Sequence, residues 1–128
     1  MPLEITGIYA SLLAIVMIVL SVRVSMLRAQ SDIPMLHGEN IQLAEWVRRH
    51  GNFTENAPMG LILMGIVEAF GASFLLLNVI GGTLLVGRIV HPFGIAAKDE
   101  NKLARGAGAL LTAISMLICV VFILVNAL

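Results

Sequence analysis

Three stretches without a single charged side chain dominate the chain: residues 5–22, 69–87 and 106–128. Each is long enough, at 1.5 Å per residue in a helix, to cross hydrocarbon about 30 Å thick. Only helices and closed barrels satisfy their backbone groups in lipid, and runs of this length and evenness read as helices. A fourth run, residues 56–67, is too short alone. It becomes a span only if its helix also carries Arg48, Arg49, Asn52 and Glu55 into the membrane edge. The expected fold is therefore an all-α membrane protein, a bundle of four transmembrane helices near residues 5–28, 41–69, 72–94 and 102–127, forming one domain over 1–128.

Composition agrees. Of 128 residues, 59% are hydrophobic and only 12% charged, about half the charge of an average soluble domain. So small a core cannot bury that much apolar side chain, and the excess must face lipid or another subunit. A soluble enzyme, a nucleic-acid binder and a disordered tail are all excluded. Eight basic and eight acidic residues cancel, which leaves no global field to draw nucleic acid. Cys119 lies alone in an apolar run and is expected to serve packing. The first stretch lacks the positive flank of a cleaved signal and is expected to be a retained span.

The connections carry their own signals. Asn40 is placed to cap the second helix, and Asp99 or Asn101 the fourth. His91-Pro92-Phe93-Gly94 ends or bends the third. Arg23, Arg28, Arg48 and Arg49 flank the first connection; Arg88, Lys98, Lys102 and Arg105 flank the third. The second connection and both ends of the chain hold no Lys or Arg. By the positive-inside rule the two long connections are cytoplasmic and the termini outside. Trp46 and Tyr9 are expected as interfacial anchors.

Charges within a membrane helix are costly and usually face a partner or a cavity. Arg48, Asn52 and Glu55 lie within about 80° of Glu45 around the second helix, one stripe over about three turns. Guanidinium, amide and carboxylate on one stripe can recognise a small zwitterion, the arginine taking a carboxylate and the glutamate an ammonium. The same residues also suit interhelical ion pairs. Arg88 and His91, one turn apart, reach the same level on the third helix, as do Arg105 opening the fourth and Arg23 closing the first. Four guanidiniums in one layer repel unless carboxylates of the protein or a ligand neutralise them, and an anionic ligand is the favoured inference. No metal is expected: His37, His50 and His91 lack ligand partners at helical spacing.

The run Arg48…Asn52…Glu55…Pro58, with Gly87-Arg88-Ile89-Val90-His91-Pro92-Phe93-Gly94 at the end of the third helix, resembles the signature of the MAPEG family, the membrane-associated proteins in eicosanoid and glutathione metabolism. The closest likeness is to its small bacterial members, over essentially the whole chain. The resemblance implies a homotrimer in a bacterial inner membrane, with glutathione as co-substrate in clefts between subunits near the cytoplasmic side. Arg48, Asn52 and Glu55 would hold the carboxylates and amine of glutathione, with Arg88, His91 and either Arg23 or Arg28 completing the pocket. Arg105 would stabilise the thiolate, with Lys102 as the competing candidate. The implied activity is a membrane-bound glutathione transferase, with or without peroxidase activity, acting on a lipophilic small molecule that enters from membrane lipid. One departure stands out: a Tyr often found four residues beyond the His or Tyr of the family motif is Ile95 here. That keeps a non-catalytic ligand-binding member as the alternative. A small multidrug-type exporter is the remaining alternative, disfavoured by the absence of a carboxylate within residues 5–22.

Overall fold

The structure, a computed structural model, describes residues 3–128; Met1 and Pro2 lie outside the described residues. Four helices follow one another: α1 (Glu4–Ser31), α2 (Ile41–Ala69), α3 (Phe74–Val90) and α4 (Lys102–Ala127), with a 3-10 turn over His91–Gly94 after α3. No strand occurs among the described residues. Three helical stretches, Glu4–Ser31, Phe74–Gly94 and Lys102–Ala127, are long and apolar enough to cross a membrane. The charges of α2 keep it out of that group, but it packs inside the bundle with them.

Local chemistry sets the helix ends. The Asn40 side chain accepts a hydrogen bond from the Leu43 backbone N–H, Ser73 from Leu76, and Asn101 from Ala104. Of the two candidates for the last cap, then, Asn101 fills it, while Asp99 takes a left-handed conformation in the turn before it. At the start of α1, no side chain of the helix's own first residues caps it. Glu68 of α2 does so instead, accepting from the backbone N–H of Ile5 (2.9 Å) and Thr6 (2.7 Å). A carboxylate there answers both the free N–H groups and the positive end of the helix dipole.

The helices close a ring in the order α1, α2, α4, α3, with the closest packing between α3 and α4. Pairings such as Ile5 with Glu68, Asn52 with Arg88, and Ile80 with Ser115 make helices consecutive in the chain antiparallel. All basic residues consequently gather at one end of the bundle. Two apolar clusters form the core. Leu13, Leu20, Phe53, Ala57 and Leu84 lie toward the basic end, and Met64, Val67, Leu77, Ile80 and Cys119 toward the other. Long faces of α1 and α4, including Ile8, Ile15, Val19, Leu117 and Val125, stay exposed, as surfaces do that meet lipid or another chain.

The two aromatic residues expected as anchors do more specific work. Tyr9 is half-buried, its hydroxyl donating to Asn78 Oδ1 at 3.0 Å, and a Cβ on Gly81 of α3 would collide with its ring. Trp46 is half-buried against the core and sits beneath two guanidiniums, those of Arg23 and Arg49.

Candidate functional site

At the basic end, α2, the 3-10 turn and the start of α4 enclose a small polar cavity of about 100 Å3, lined by Arg48, Asn52, His91, Ile95, Ala96 and Arg105. Main-chain proximity brings these residues together. Gly108 on α4 meets the backbone of His91 so closely that a Cβ there would come within 2.6 Å of the His91 Cα. Gly94 stands as close to the backbone of Arg105, and a Cβ on Gly87 would lie 2.9 Å from the Gly108 carbonyl. Glycine allows these approaches because it has no side chain to displace. The 3-10 turn is thus seated on the first two turns of α4.

Arg88 is the most deeply buried charge described, at 2% exposure, and every nitrogen of its guanidinium has a partner. Nε donates to Thr112 Oγ1 (2.7 Å), one terminal nitrogen to Asn52 Oδ1 (2.9 Å), and the other to the Gly108 carbonyl (3.3 Å). A buried cation persists only when its donors are satisfied, and here α2 and α4 supply the acceptors. Arg88 is therefore a clamp between α2, α3 and α4 behind the cavity wall. With its oxygen facing Arg88, Asn52 has its amide nitrogen free for the cavity side.

Toward the opening the charges are more exposed. Arg48 pairs with Glu55 at 3.0 Å and Arg105 with Glu100 at 2.9 Å, each arginine more than half exposed. Glu45, on the same stripe, turns to the following loop, where its carboxylate accepts from the Ala97 N–H at 2.7 Å. Arg49 donates twice to the Ile95 carbonyl (3.0 and 2.7 Å). Together Glu45 and Arg49 tie residues 95–97 down as one wall of the cavity.

The structure thus brings together Arg48, Asn52, Glu55, His91 and Arg105, with Arg88 directly behind them. It does not bring Arg23 or Arg28 to the same place. Arg28 donates to the Ile33 and Leu36 carbonyls and fixes the turn after α1. Arg23 lies over Trp46, its guanidinium carbon 5.5 Å from the ring centre. Lys102 is exposed at the first position of α4 and does not line the cavity, whereas Arg105 does. Thr112 carries little signal in the sequence: it is one of two hydroxyl residues, with Ser115, in the apolar run after Arg105. No group of three His, Cys, Asp or Glu side chains suited to a metal occurs among the described residues.

Comparison with known proteins gives the same picture from outside. The inner membrane protein YecN of Escherichia coli strain K12 is 32% identical over 90 residues, covering 70% of this chain and 69% of that one. The YecN protein of Escherichia coli O6:H1 matches equally well. No solved structure matches significantly. The profile of the MAPEG family matches residues 6–128, nearly the whole helical bundle and both motifs that line or back the cavity; the chain belongs to the MAPEG family.

Proposed function

We propose that this protein is a membrane-bound glutathione transferase that conjugates the glutathione thiolate to lipophilic electrophiles. The observation that carries the reading is the convergence of Arg48, Asn52, His91 and Arg105 on one polar cavity at the end of an otherwise apolar bundle. Glutathione offers two carboxylates and an ammonium. Arg48 answers a carboxylate, Glu55 the ammonium, and the free Asn52 amide a peptide carbonyl. Arg105 lines the same cavity as Arg48 and supplies the cation for the sulfur. An adjacent guanidinium favours thiolate over thiol and supports the charge of the nucleophile. The thiol proton leaves to water, the sulfur attacks the electrophilic carbon, and the electron pair of the broken bond departs with the leaving group.

A cavity of about 100 Å3 is smaller than the ~300–1,000 Å3 of ordinary ligand pockets. In this reading a neighbouring subunit supplies the missing wall, including Arg23 or Arg28 of its first helix, and the working unit is a homotrimer with three such sites. The basic end faces the cytoplasm, where glutathione is available, and both termini face outward across a bacterial inner membrane.

A second reading is favoured by one residue. Ile95 gives the cavity wall an apolar side chain at a position where the family often offers a tyrosine hydroxyl. This supports a member that binds glutathione or an anionic amphiphile without turnover.

Calorimetry with glutathione on the purified protein in detergent separates these readings. Binding lost in Arg48→Ala but kept in Arg105→Ala, with thiolate absorbance lost in Arg105→Ala, supports the transferase. Binding without conjugation of any electrophile in a panel supports the second reading. No binding by the wild type defeats both glutathione-dependent readings.

A further inference from the structure

On the other side of α2 from the polar cavity the bundle opens into a recess that no step above uses. Ile15 and Val19 of α1, Ile89 of α3, and Pro92 and Phe93 of the 3-10 turn wall it, with Trp46 at its base, around a volume of about 340 Å3. Past Val19 it continues as a shallower furrow of about 350 Å3 between Val22, Met26 and Trp46, which includes Arg23. Val19 and Trp46 border both, so the two parts form one largely apolar groove, with Arg49 beside Trp46 and the guanidinium of Arg23 toward one end.

The charge at that end is unanswered. Two guanidiniums share the Trp46 ring, at 5.5 Å for Arg23 and 4.6 Å for Arg49. Arg49 has the Ile95 carbonyl and the Glu45 carboxylate, at 2.7 and 3.8 Å. Arg23 has neither an ion pair nor a hydrogen-bond acceptor among the described residues. Its stem is half-buried on the indole and its head is held there by the ring. No acidic side chain lines the groove. Glu45 and Glu55, the acidic residues on the helices near this end, already pair with Arg49 and Arg48, so the same face of a second copy has no free helical carboxylate to offer.

An apolar groove in a membrane protein, ending at a fixed and unpaired cation, matches a ligand that is apolar along most of its length and anionic at one end. Basic residues at a membrane surface gather such headgroups by charge alone; the groove adds a seat for the chain. We propose that this groove holds an anionic phospholipid of the adjoining leaflet, its phosphate on Arg23 and one acyl chain running past Val19 toward Ile15. With Arg23 so engaged, Arg28 is the first-helix arginine left for a neighbour's polar cavity.

Native mass spectrometry of the full-length protein, delipidated in detergent and titrated with lipids of matched acyl chains, tests this. The expected result is one phosphatidylglycerol retained per chain, roughly tenfold more tightly than phosphatidylethanolamine, from one charge-assisted contact. Arg23→Gln should bring phosphatidylglycerol down to the level of phosphatidylethanolamine, and Val19→Trp, which fills the groove, should weaken both. Glycerol phosphate without acyl chains should not bind. Equal retention of the two lipids by the wild type overturns the proposal, as does binding of glycerol phosphate as strong as that of the lipid. Val19→Trp changing the oligomeric state while leaving lipid binding intact also overturns it, and assigns the groove to an interface between copies.

Discussion

The guanidinium of Arg88 reaches Asn52 Oδ1 at 2.9 Å through the interior of the bundle, while its Nε is held by Thr112 at 2.7 Å. The orientation of Asn52 at the cavity therefore depends on a hydroxyl on α4 that does not line the cavity itself. Thr112 in turn donates to the Gly108 carbonyl, which also accepts from Arg88. The four residues link the three helices that form the site.

Thr112→Val removes the acceptor and leaves a buried guanidinium N–H without a partner. Such groups cost about 1–3 kcal/mol. Thermal unfolding in detergent should show the loss, and glutathione affinity should fall with it. Thr112→Ser, which keeps the oxygen, should restore most of both.

Gly108→Ala and Gly106→Ala, two residues apart on α4, should act in opposite directions. A Cβ at Gly108 meets the His91 backbone at 2.6 Å, whereas one at Gly106 meets nothing within 4 Å. The first should destabilise by about 1–3 kcal/mol through overpacking; the second should be neutral or stabilise by up to about 1 kcal/mol through helix propensity. Their midpoints of thermal unfolding, measured side by side, check this.

How much of this arrangement the sequence discloses differs between its parts. Charge-free runs identify three helices directly, because lipid tolerates nothing else of that length. The second helix was legible only through its polar stripe, since Glu45, Arg48, Arg49 and Glu55 break its hydropathy. Helical periodicity places Arg48, Asn52 and Glu55 on one face, and Arg48 does pair with Glu55 at 3.0 Å. Periodicity does not tell an arginine that faces a cavity from one that clamps helices behind it. Arg105 and Arg88 differ in burial, because Arg88 points inward toward Thr112 and Arg105 outward toward Glu100. The separation of Arg23 from the layer has a similar origin: level along the axis is readable, but the side of the bundle depends on where the Trp46 ring lies.

Glu68→Gln tests the tertiary cap of α1. Both carboxylate oxygens accept from the first turn of that helix, and the site is exposed enough that solvent screens much of the benefit. A loss of a few tenths of a kcal/mol is expected. Hydrogen exchange confined to the first turn of α1 should accelerate, with the polar cavity at the opposite end unaffected.

Ile95→Tyr places a hydroxyl on the wall of the cavity while leaving the carbonyl that Arg49 holds. If the protein is a transferase limited by that position, conjugation should accelerate on the order of tenfold, with little change in glutathione affinity. Steady-state kinetics beside calorimetry distinguish the two effects.

The Arg48–Glu55 pair at the rim of the cavity, 3.0 Å apart and open to solvent, has a consequence for selectivity. An incoming molecule must exchange partners with it rather than simply add to it. A plain anion can take over Arg48 but leaves Glu55 with an unanswered negative charge at a membrane edge, where such charges are costly. A molecule bearing a carboxylate and an ammonium side by side replaces each half of the pair in kind. The pair thus mirrors the two ends of an amino acid, and exchange with it favours amino-acid-like ends over sulfate, phosphate or fatty acid before any other contact forms.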